Sequence, residues 1–305
     1  MAAYKVKFLG TDGYEGIESG WYGDCIIIYN SESMIVYDCG SEQHAERVID
    51  FAESEFFSNE EFQMDVILSH NDKDHFDGIL KLIDSGKVRN IYTTLLLKYV
   101  DEILEKLDDG KRNRESTKKH ILELYDNIAQ LSGIASLKDV YEDGLDLPEG
   151  IELIGPELDT MIDSAVKAIE ENDISHVDGS ETLVNSTSLQ FKIAVEGEKG
   201  LLLVADAAPE NIVSDLNDYD YIQLPHHGKL ASAEAVFNKI RLANLSSITF
   251  IVSDNTGTSN GGSNDLMSSK VRYGKVIENT KDGDVELKAV LHATRSHAIM
   301  KNRGI

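Results

Sequence analysis

Only two cysteines occur in 305 residues, Cys25 and Cys39, and both stand inside apolar strand-like runs. A disulfide-stapled secreted scaffold is thereby excluded, and reduced core thiols fit a cytoplasmic location. No stretch reaches the ~18 apolar residues of a membrane span, so no membrane partner is expected. The opening segment MAAYKVKFLG reads as a first strand and lacks the apolar core of a signal peptide. With four prolines and no Gly/Ser run no low-complexity linker marks a domain boundary, and residues 1–305 are read as one domain. Bases are scarce as well: 29 Lys+Arg stand against 54 Asp+Glu, a formal net charge of −25. Such a surface repels a phosphate backbone and disfavours broad non-specific binding of nucleic acid. The imbalance is steepest over residues 141–187, where thirteen carboxylates face one base, Lys167. That segment is a candidate docking face for a partner protein or for a second copy in a homodimer.

What is present is a succession of short Val/Ile/Leu-rich runs ending in Asp, Gly, Ser or Asn. They predict strands over residues 4–9, 24–29, 34–38, 64–69, 151–154, 188–195, 201–206, 221–224, 247–253, 275–278 and 285–291. Phe76, Ile79, Leu80 and Ile83 form an apolar stripe at helical spacing. Further helices are expected over 44–54, 99–107, 115–131, 159–171 and 233–240. Two strand-rich segments with helices between them imply an α/β protein with two packed sheets and helices outside. Residues 76–133 read as a helix-rich excursion from that pattern.

Three strand ends carry the chemistry. VILSHNDKDHFDG supplies His70, Asp72, Asp74 and His75; LLLVADAAPE ends in Asp206; YIQLPHHGK ends in His226 and His227. Taken alone, the first is open to two readings, a solvated turn of Ser, Asn, Asp and Gly or a metal site. The other two ends favour the metal site, because a sheet delivers several strand ends to one edge. Imidazole and carboxylate together suit Zn²⁺, Mn²⁺ and Fe²⁺. The remaining histidines, His44, His120, His176, His292 and His297, have no identifiable partners in the sequence. The cationic run KRNRESTKK at 111–119 reads as a solvated helix start, with phosphate docking as the other reading.

The first cluster resembles the metallo-β-lactamase superfamily motif His-x-His-x-Asp-His, with Asp72 where the second histidine usually stands. With Gly78 and the later PHHG it resembles the soluble hydrolase domain of ComEC-type competence proteins. The likeness extends over YKVKFLG, YGDCIIIYN and MIVYDCG, which hold Gly23-Asp24 and Asp38-x-Gly40, and over GLDLPEGIELIGP and VNSTSLQFKI. It implies a four-layer αββα sandwich of the metallo-β-lactamase fold. It also implies two divalent ions, zinc or manganese: one held by His70, Asp72 and Asp206, the other by Asp74, His75, Asp206 and a histidine of the pair, His226. Asn185 occupies the place of a further ligating histidine; the alternative is that it caps a turn. Asp38 would steady the histidine cluster from behind.

The implied reaction is hydrolysis of a phosphodiester by water activated between the ions, with Asp74 orienting it or taking its proton. His227 would bind the substrate oxyanion or protonate the leaving group, or else serve as a structural histidine. Two divalent ions against Asp72, Asp74 and Asp206 leave a pocket of about +1, enough to attract one phosphate locally. The substrate would be a nucleic acid or nucleotide. Alternatives are a small phosphoester, cyclic-nucleotide or phosphocholine-like, and a metal-binding regulatory component whose catalysis has decayed. The last is motivated by residues 253–265, where ComEC-like proteins carry Gly-His-Pro and this chain has neither the histidine nor the proline. β-Lactamase activity itself is not expected, since a shared site does not fix the substrate.

Overall fold

A computed structural model describes residues 3–11, 23–56, 61–107, 110–171, 182–212, 214–242, 244–253, 262–273 and 276–287. His176, His292, His297, residues 254–261 and part of the acidic 141–187 segment lie outside the described residues.

The first sheet contains β1 (Lys5–Phe8), β2 (Cys25–Tyr29), β3 (Met34–Cys39), β4 (Met64–Ile67), β5 (Val88–Thr93) and β6 (Leu137–Asp139). The second contains β7 (Ile151–Gly155), β8 (Gln190–Ile193), β9 (Leu201–Leu203), β10 (Tyr221–Gln223), β11 (Thr249–Val252) and β12 (Val276–Asn279). β13 (Val285–Leu287) returns to the first sheet, beside β1. The orders are β13-β1-β2-β3-β4-β5-β6 and β12-β11-β10-β9-β8-β7. Both are mixed: β1, β2 and β3 run antiparallel and β3 to β6 parallel, while β9 to β12 run parallel and β7, β8 and β9 antiparallel.

The helices, in chain order, are α1 (Glu42–Glu55), α2 (Lys73–Phe76), α3 (Ile79–Asp84), α4 (Val100–Leu107), α5 (Arg114–Leu124), α6 (Asp126–Gln130), α7 (Leu158–Glu171), α8 (Leu183–Ser186), α9 (Pro225–Gly228), α10 (Leu230–Lys239) and α11 (Asn264–Tyr273).

The period-2 geometry of a strand sorts the apolar runs into layers. Val6, Phe8, Ile26, Ile28, Ile35 and Tyr37 face the second sheet and meet Phe191, Ile193 and Leu203 in the core between the sheets. Their neighbours Ile27, Val36 and Val66 face outward, where Ala45 and Val48 of α1 and Ile79 and Leu82 of α3 cover them. Leu202, Ile222 and Phe250 are covered in the same way by Ala233, Val236 and Phe237 of α10. Because β2 and β3 bury both faces, they read as continuous apolar runs and not as alternations. The result is the expected α/β sandwich of four layers, helix, sheet, sheet, helix.

The span 76–133 differs in detail from the helix-rich excursion expected. It includes β5, which pairs with β4 inside the first sheet. The helix expected over 115–131 is two helices, α5 and α6, meeting at Tyr125 (φ −125°, ψ 45°). α4 and α5 pack on α7 through Ile103, Ile121, Ile162 and Ala165.

Candidate metal centre

Strand direction gathers the candidate residues. β3, β4, β9 and β10 end at one edge of the sandwich, and β2, antiparallel to β3, begins there. Asp24 precedes β2, Asp38 lies at the end of β3, and His70 to His75 follow β4. Asp206 follows β9, and His226 and His227 follow β10. Loops beyond the carboxyl ends of parallel strands are where open α/β sheets place their ligands.

The backbone is unusual at the same edge. Asp38 (φ 56°), Ala205 (φ 44°), His226 (φ 52°) and His227 (φ 52°) are all the non-glycine residues in the left-handed region among the described residues. Each costs of order 1–3 kcal/mol, a cost that persists where the surroundings over-determine it. Gly23 explains part of the fit: at φ +66°, a Cβ there would lie 1.5 Å from the Asp74 carbonyl oxygen. That approach lets the Asp24 N–H donate to the Asp74 carbonyl at 3.0 Å, tying β2 to the histidine loop.

Three buried imidazoles are held by their Nδ1 atoms. His75 Nδ1 lies 2.8 Å from Asp38 Oδ2, and His70 Nδ1 lies 2.9 Å from Ser69 Oγ. Ser69 in turn donates its hydroxyl to Asp38 Oδ2 at 2.6 Å and its N–H to Asp38 Oδ1 at 2.7 Å. Because Ser69 Oγ spends its proton in the hydrogen bond to Asp38, it can only accept from His70, which fixes His70 as the Nδ1–H tautomer. His227 Nδ1 lies 3.0 Å from the Ser253 carbonyl and 3.1 Å from Asp24 Oδ1, both acceptors. All three rings therefore turn Nε2 inward, the arrangement a carboxylate or carbonyl behind a histidine imposes at metal sites.

Asp206 is the common target. His75 Nε2 is 3.5 Å from Asp206 Oδ1, and His227 Nε2 is 3.7 Å from Asp206 Oδ2 and 3.2 Å from Asp74 Oδ2. His70, His75 and Asp206 offer ligand atoms within 4.8 Å of one another, and the His70 and His75 ring centroids are 4.1 Å apart. His70 Nε2, His75 Nε2 and Asp206 Oδ1 are buried without a hydrogen-bond partner. Each such atom costs about 1–3 kcal/mol unless something satisfies it, and a cation between them would satisfy all three. The residues present fit a divalent metal.

A second set, Asp24, His75 and His227, is also close enough to ligate. The Asp24 carboxylate, however, takes hydrogen bonds from Gln223 Nε2 at 2.6 Å and from His227 Nδ1, so it supports His227 from behind.

The paired histidines diverge. Sequence reading gave the second ion's histidine to His226; in the structure His227 lies the deeper of the two, 3% exposed. His226 stands at the rim, its Nδ1 4.0 Å from Asp206 Oδ2. Left-handed backbone at both residues turns consecutive side chains apart, with the two rings at 81°. Asp72 and Asp74 flank the cluster: Asp72 Oδ2 is 3.9 Å from His70 Nε2, and the Asp72 side chain is 40% exposed. Asn185, in α8, lies between them and the buried carboxylate, donating Nδ2 to Asp206 Oδ2 at 3.4 Å while its Oδ1 accepts from the Thr182 hydroxyl.

Electrostatics follow from the crowding. Burial, then the neighbouring His75, pushes the His70 pKa down to about 4. Burial opposes charge on His75 and His227 too, but Asp206 with Asp38 or Asp24 outweighs it and holds both imidazoles well above their usual range. For Asp206 and Asp74 the cationic imidazoles outweigh burial, and both carboxyls fall below their usual range. Burial, then the Asp74 charge, raises Asp72 to about 6. The +1 pocket expected from sequence counted three carboxylates. Asp24 and Asp38 make five, so two divalent ions would leave one negative charge, and an anionic substrate would have to be drawn by direct ligation.

Sequence reading missed Gln223, whose Oε1 also accepts from the Val204 and Ala205 N–H groups at 3.0 Å each. The signal was available: a glutamine inside the apolar run YIQL is buried and must find partners. Part of the cationic run at 111–119 is engaged locally. Arg114 pairs with Asp101 at 2.8 Å, Lys119 with Glu123 at 3.6 Å, and Asn113 caps α5.

The chain matches no protein-family model, and no curated protein sequence matches it. Among solved structures it is similar to the metallo-β-lactamase fold protein YhfI from Bacillus subtilis, with 14% identity and a TM-score of 0.46 over 93% of this chain and 100% of that one. A metallo hydrolase from the archaeon Ignicoccus hospitalis gives 11% identity and a TM-score of 0.45 over 93% and 99%. A diphosphatase from the PhnP family gives 12% and 0.45 over 93% and 97%. No helix among the described residues is long and apolar enough to cross a membrane.

Proposed function

We propose that the protein is a metal-dependent hydrolase of phosphoester bonds that holds two divalent ions, zinc or manganese, in this cluster. The observation that carries the reading is the set of three buried imidazoles, each fixed through Nδ1: His75 and His227 present Nε2 to Asp206 or Asp74, and His70 offers a ligand atom within 4.8 Å of those of His75 and Asp206. His70, His75, Asp206, Asp72 and Asp74 hold the ions, and His227 takes the ligand place the sequence reading gave to His226. When bound, the ions supply a Lewis acid that lowers the pKa of water and polarises the scissile ester.

The chain's own groups do the rest. Asp38, Ser69 and Asp24 keep the imidazole tautomers correct, so no ligand has to lose a proton from the wrong nitrogen. Asp74 orients the attacking water. His226, at the rim, meets the substrate oxyanion or hands a proton to the leaving oxygen. Asn185 holds the Asp206 carboxylate in place. No serine or cysteine nucleophile is needed. The preference for phosphoesters rests on the likeness of the motifs to the ComEC-type hydrolase domain.

A small phosphoester is favoured over a polymer by one observation: the chain carries a net charge of −25, and within its basic run at 111–119 Arg114 and Lys119 already face Asp101 and Glu123. The test is turnover of bis-p-nitrophenyl phosphate, cyclic dinucleotides and single- and double-stranded DNA with Mn²⁺ or Zn²⁺, at two salt concentrations. Turnover that is abolished by Asp206→Ala is expected, fastest on small esters and little affected by salt. Polymer cleavage weakening steeply with salt would favour the nucleic-acid reading. No ester hydrolysed by metal-loaded protein would defeat the proposal.

A further inference from the structure

Asn71 stands between His70 and Asp72, yet its side chain points away from them, into the helical excursion. Its Nδ2 donates to the Leu124 carbonyl at 3.1 Å and to Asp126 Oδ1 at 3.3 Å, and its Oδ1 accepts from the Ile128 N–H at 3.0 Å. Its own carbonyl accepts from Asn127 Nδ2 at 2.8 Å. Two of the side-chain partners are backbone groups of opposite polarity, so the orientation of the amide is unambiguous. Asn71 is 7% exposed. These four bonds join the histidine loop to the junction of α5 and α6, more than fifty residues away in sequence.

The same bonds account for the break between the two helices. Leu124 gives its carbonyl to Asn71, and the chain turns at Tyr125 where a continuous helix was expected. Packing around the junction is incomplete. A cleft of about 250 Å³ opens between α5, α6 and the ends of β5 and β6, lined by Leu95, Leu96, Ile121, Leu122, Tyr125 and Ile128. Close-packed side chains would fix the junction rigidly; here hydrogen bonds carry much of that task.

We propose that Asn71 is a positioning residue through which the α5–α6 junction sets the geometry of the histidine loop. The excursion thereby acts on the metal centre without contributing a ligand. The proposal rests on the reading of the cluster as a metal centre. Its physical basis is that His70 and Asp72 flank Asn71, so a shift of the Asn71 backbone moves both donors together. Ligand groups must be held within ~0.5 Å of their working geometry by just such supports.

The test uses the full chain, stripped of metal and titrated with Co²⁺, which reports affinity and coordination through its absorption spectrum. Asn71→Asp keeps the size and the bond from the Ile128 N–H but turns an oxygen toward the Leu124 carbonyl and adds a charge beside Asp126. It is expected to weaken Co²⁺ binding ~10-fold or more, the usual effect of losing a support behind a ligand, and to change the spectrum. Asn127→Ala removes only the bond to the Asn71 carbonyl and serves if the first variant fails to fold; a loss of about 3-fold is expected. Hydrogen exchange over residues 121–130 should slow on metal binding in the parent chain and not in Asn71→Asp. Ile103→Val, a cavity in the excursion's own core that leaves Asn71 untouched, should leave affinity and spectrum unchanged. Affinity within ~2-fold and an identical spectrum in Asn71→Asp or Asn127→Ala would overturn the positioning role. If the parent chain binds no Co²⁺ at all, the metal-centre reading falls instead.

Discussion

Asp38→Asn isolates the part of the site that holds no ligand role yet governs the ligands. The Asp38 carboxylate is fully buried and accepts three short hydrogen bonds, from the Ser69 N–H, the Ser69 hydroxyl and His75 Nδ1. An asparagine fits the same space. Its Oδ1 keeps the bond from the Ser69 N–H, but Nδ2 now faces the Ser69 hydroxyl and His75 Nδ1 as a donor. His75 can accept from it only by carrying its proton on Nε2, the atom turned toward Asp206. In the neutral imidazole, the form that binds metal, the substitution thus converts the inward nitrogen from lone pair to N–H. Two charge-assisted bonds of about 1.5–3 kcal/mol each are exchanged for weaker neutral ones, so a net destabilisation of ~2 kcal/mol is expected. Metal affinity should fall 10–100-fold, about 1.4–2.7 kcal/mol. Urea denaturation of the metal-free chain measures the first, competition with a chelating dye the second, and ¹⁵N shifts of the imidazole report the tautomer. Affinity within about 2-fold of the parent with His75 still protonated on Nδ1 would refute the reasoning.

Other perturbations follow from the same geometry. Gly23→Ala places a methyl against the Asp74 carbonyl in a left-handed backbone; a loss above ~2 kcal/mol in chemical denaturation is expected, with weakened metal binding. Loading metal should add about 2.7 kcal/mol of stability at a hundredfold excess over Kd and so raise the unfolding midpoint, and a chelator should reverse the gain in differential scanning calorimetry. Asp284 tests pH dependence away from the centre. Burial opposes its charge, but the Gly10 N–H, Arg47 and Lys7 outweigh it and hold its carboxyl below the usual range. A depressed folded-state pKa contributes stability that is present above the unfolded value of ~3.9 and lost as pH falls through the folded one. Asp284→Asn should therefore destabilise the protein at pH 7 and much less at pH 2.5, measured by urea unfolding at both.

The strands that build the site were legible because their apolar runs stop at chemically marked ends, as at Ser69, Asp206 and Pro225. Their lengths were overestimated: the chain stays apolar past β4 and β9 while it leaves the ladder to reach the centre. β5 and β6 escaped because VRNIYT is only half buried and LKD is three residues long, so neither presents a clean period. The break at Tyr125 was illegible for another reason. It depends on Asn71, and no local pattern in 115–131 registers a hydrogen bond arriving from the histidine loop. The divergence of His226 and His227 is likewise a matter of backbone conformation. Two adjacent histidines look equivalent in sequence, and only the left-handed turn at both decides which one enters the core. Asp24 was visible only as part of a Gly-Asp pattern; its role needs β2 and β10 brought side by side across the sandwich.

The most direct measurement is the metal content of the purified chain after reconstitution with Mn²⁺ or Zn²⁺ and removal of excess ion, set beside Asp206→Ala. Two ions per chain in the parent, and at most one weakly held ion in the variant, are predicted. A parent chain that retains no metal, or an Asp206→Ala variant that retains the full complement at the parent's affinity, would contradict the account.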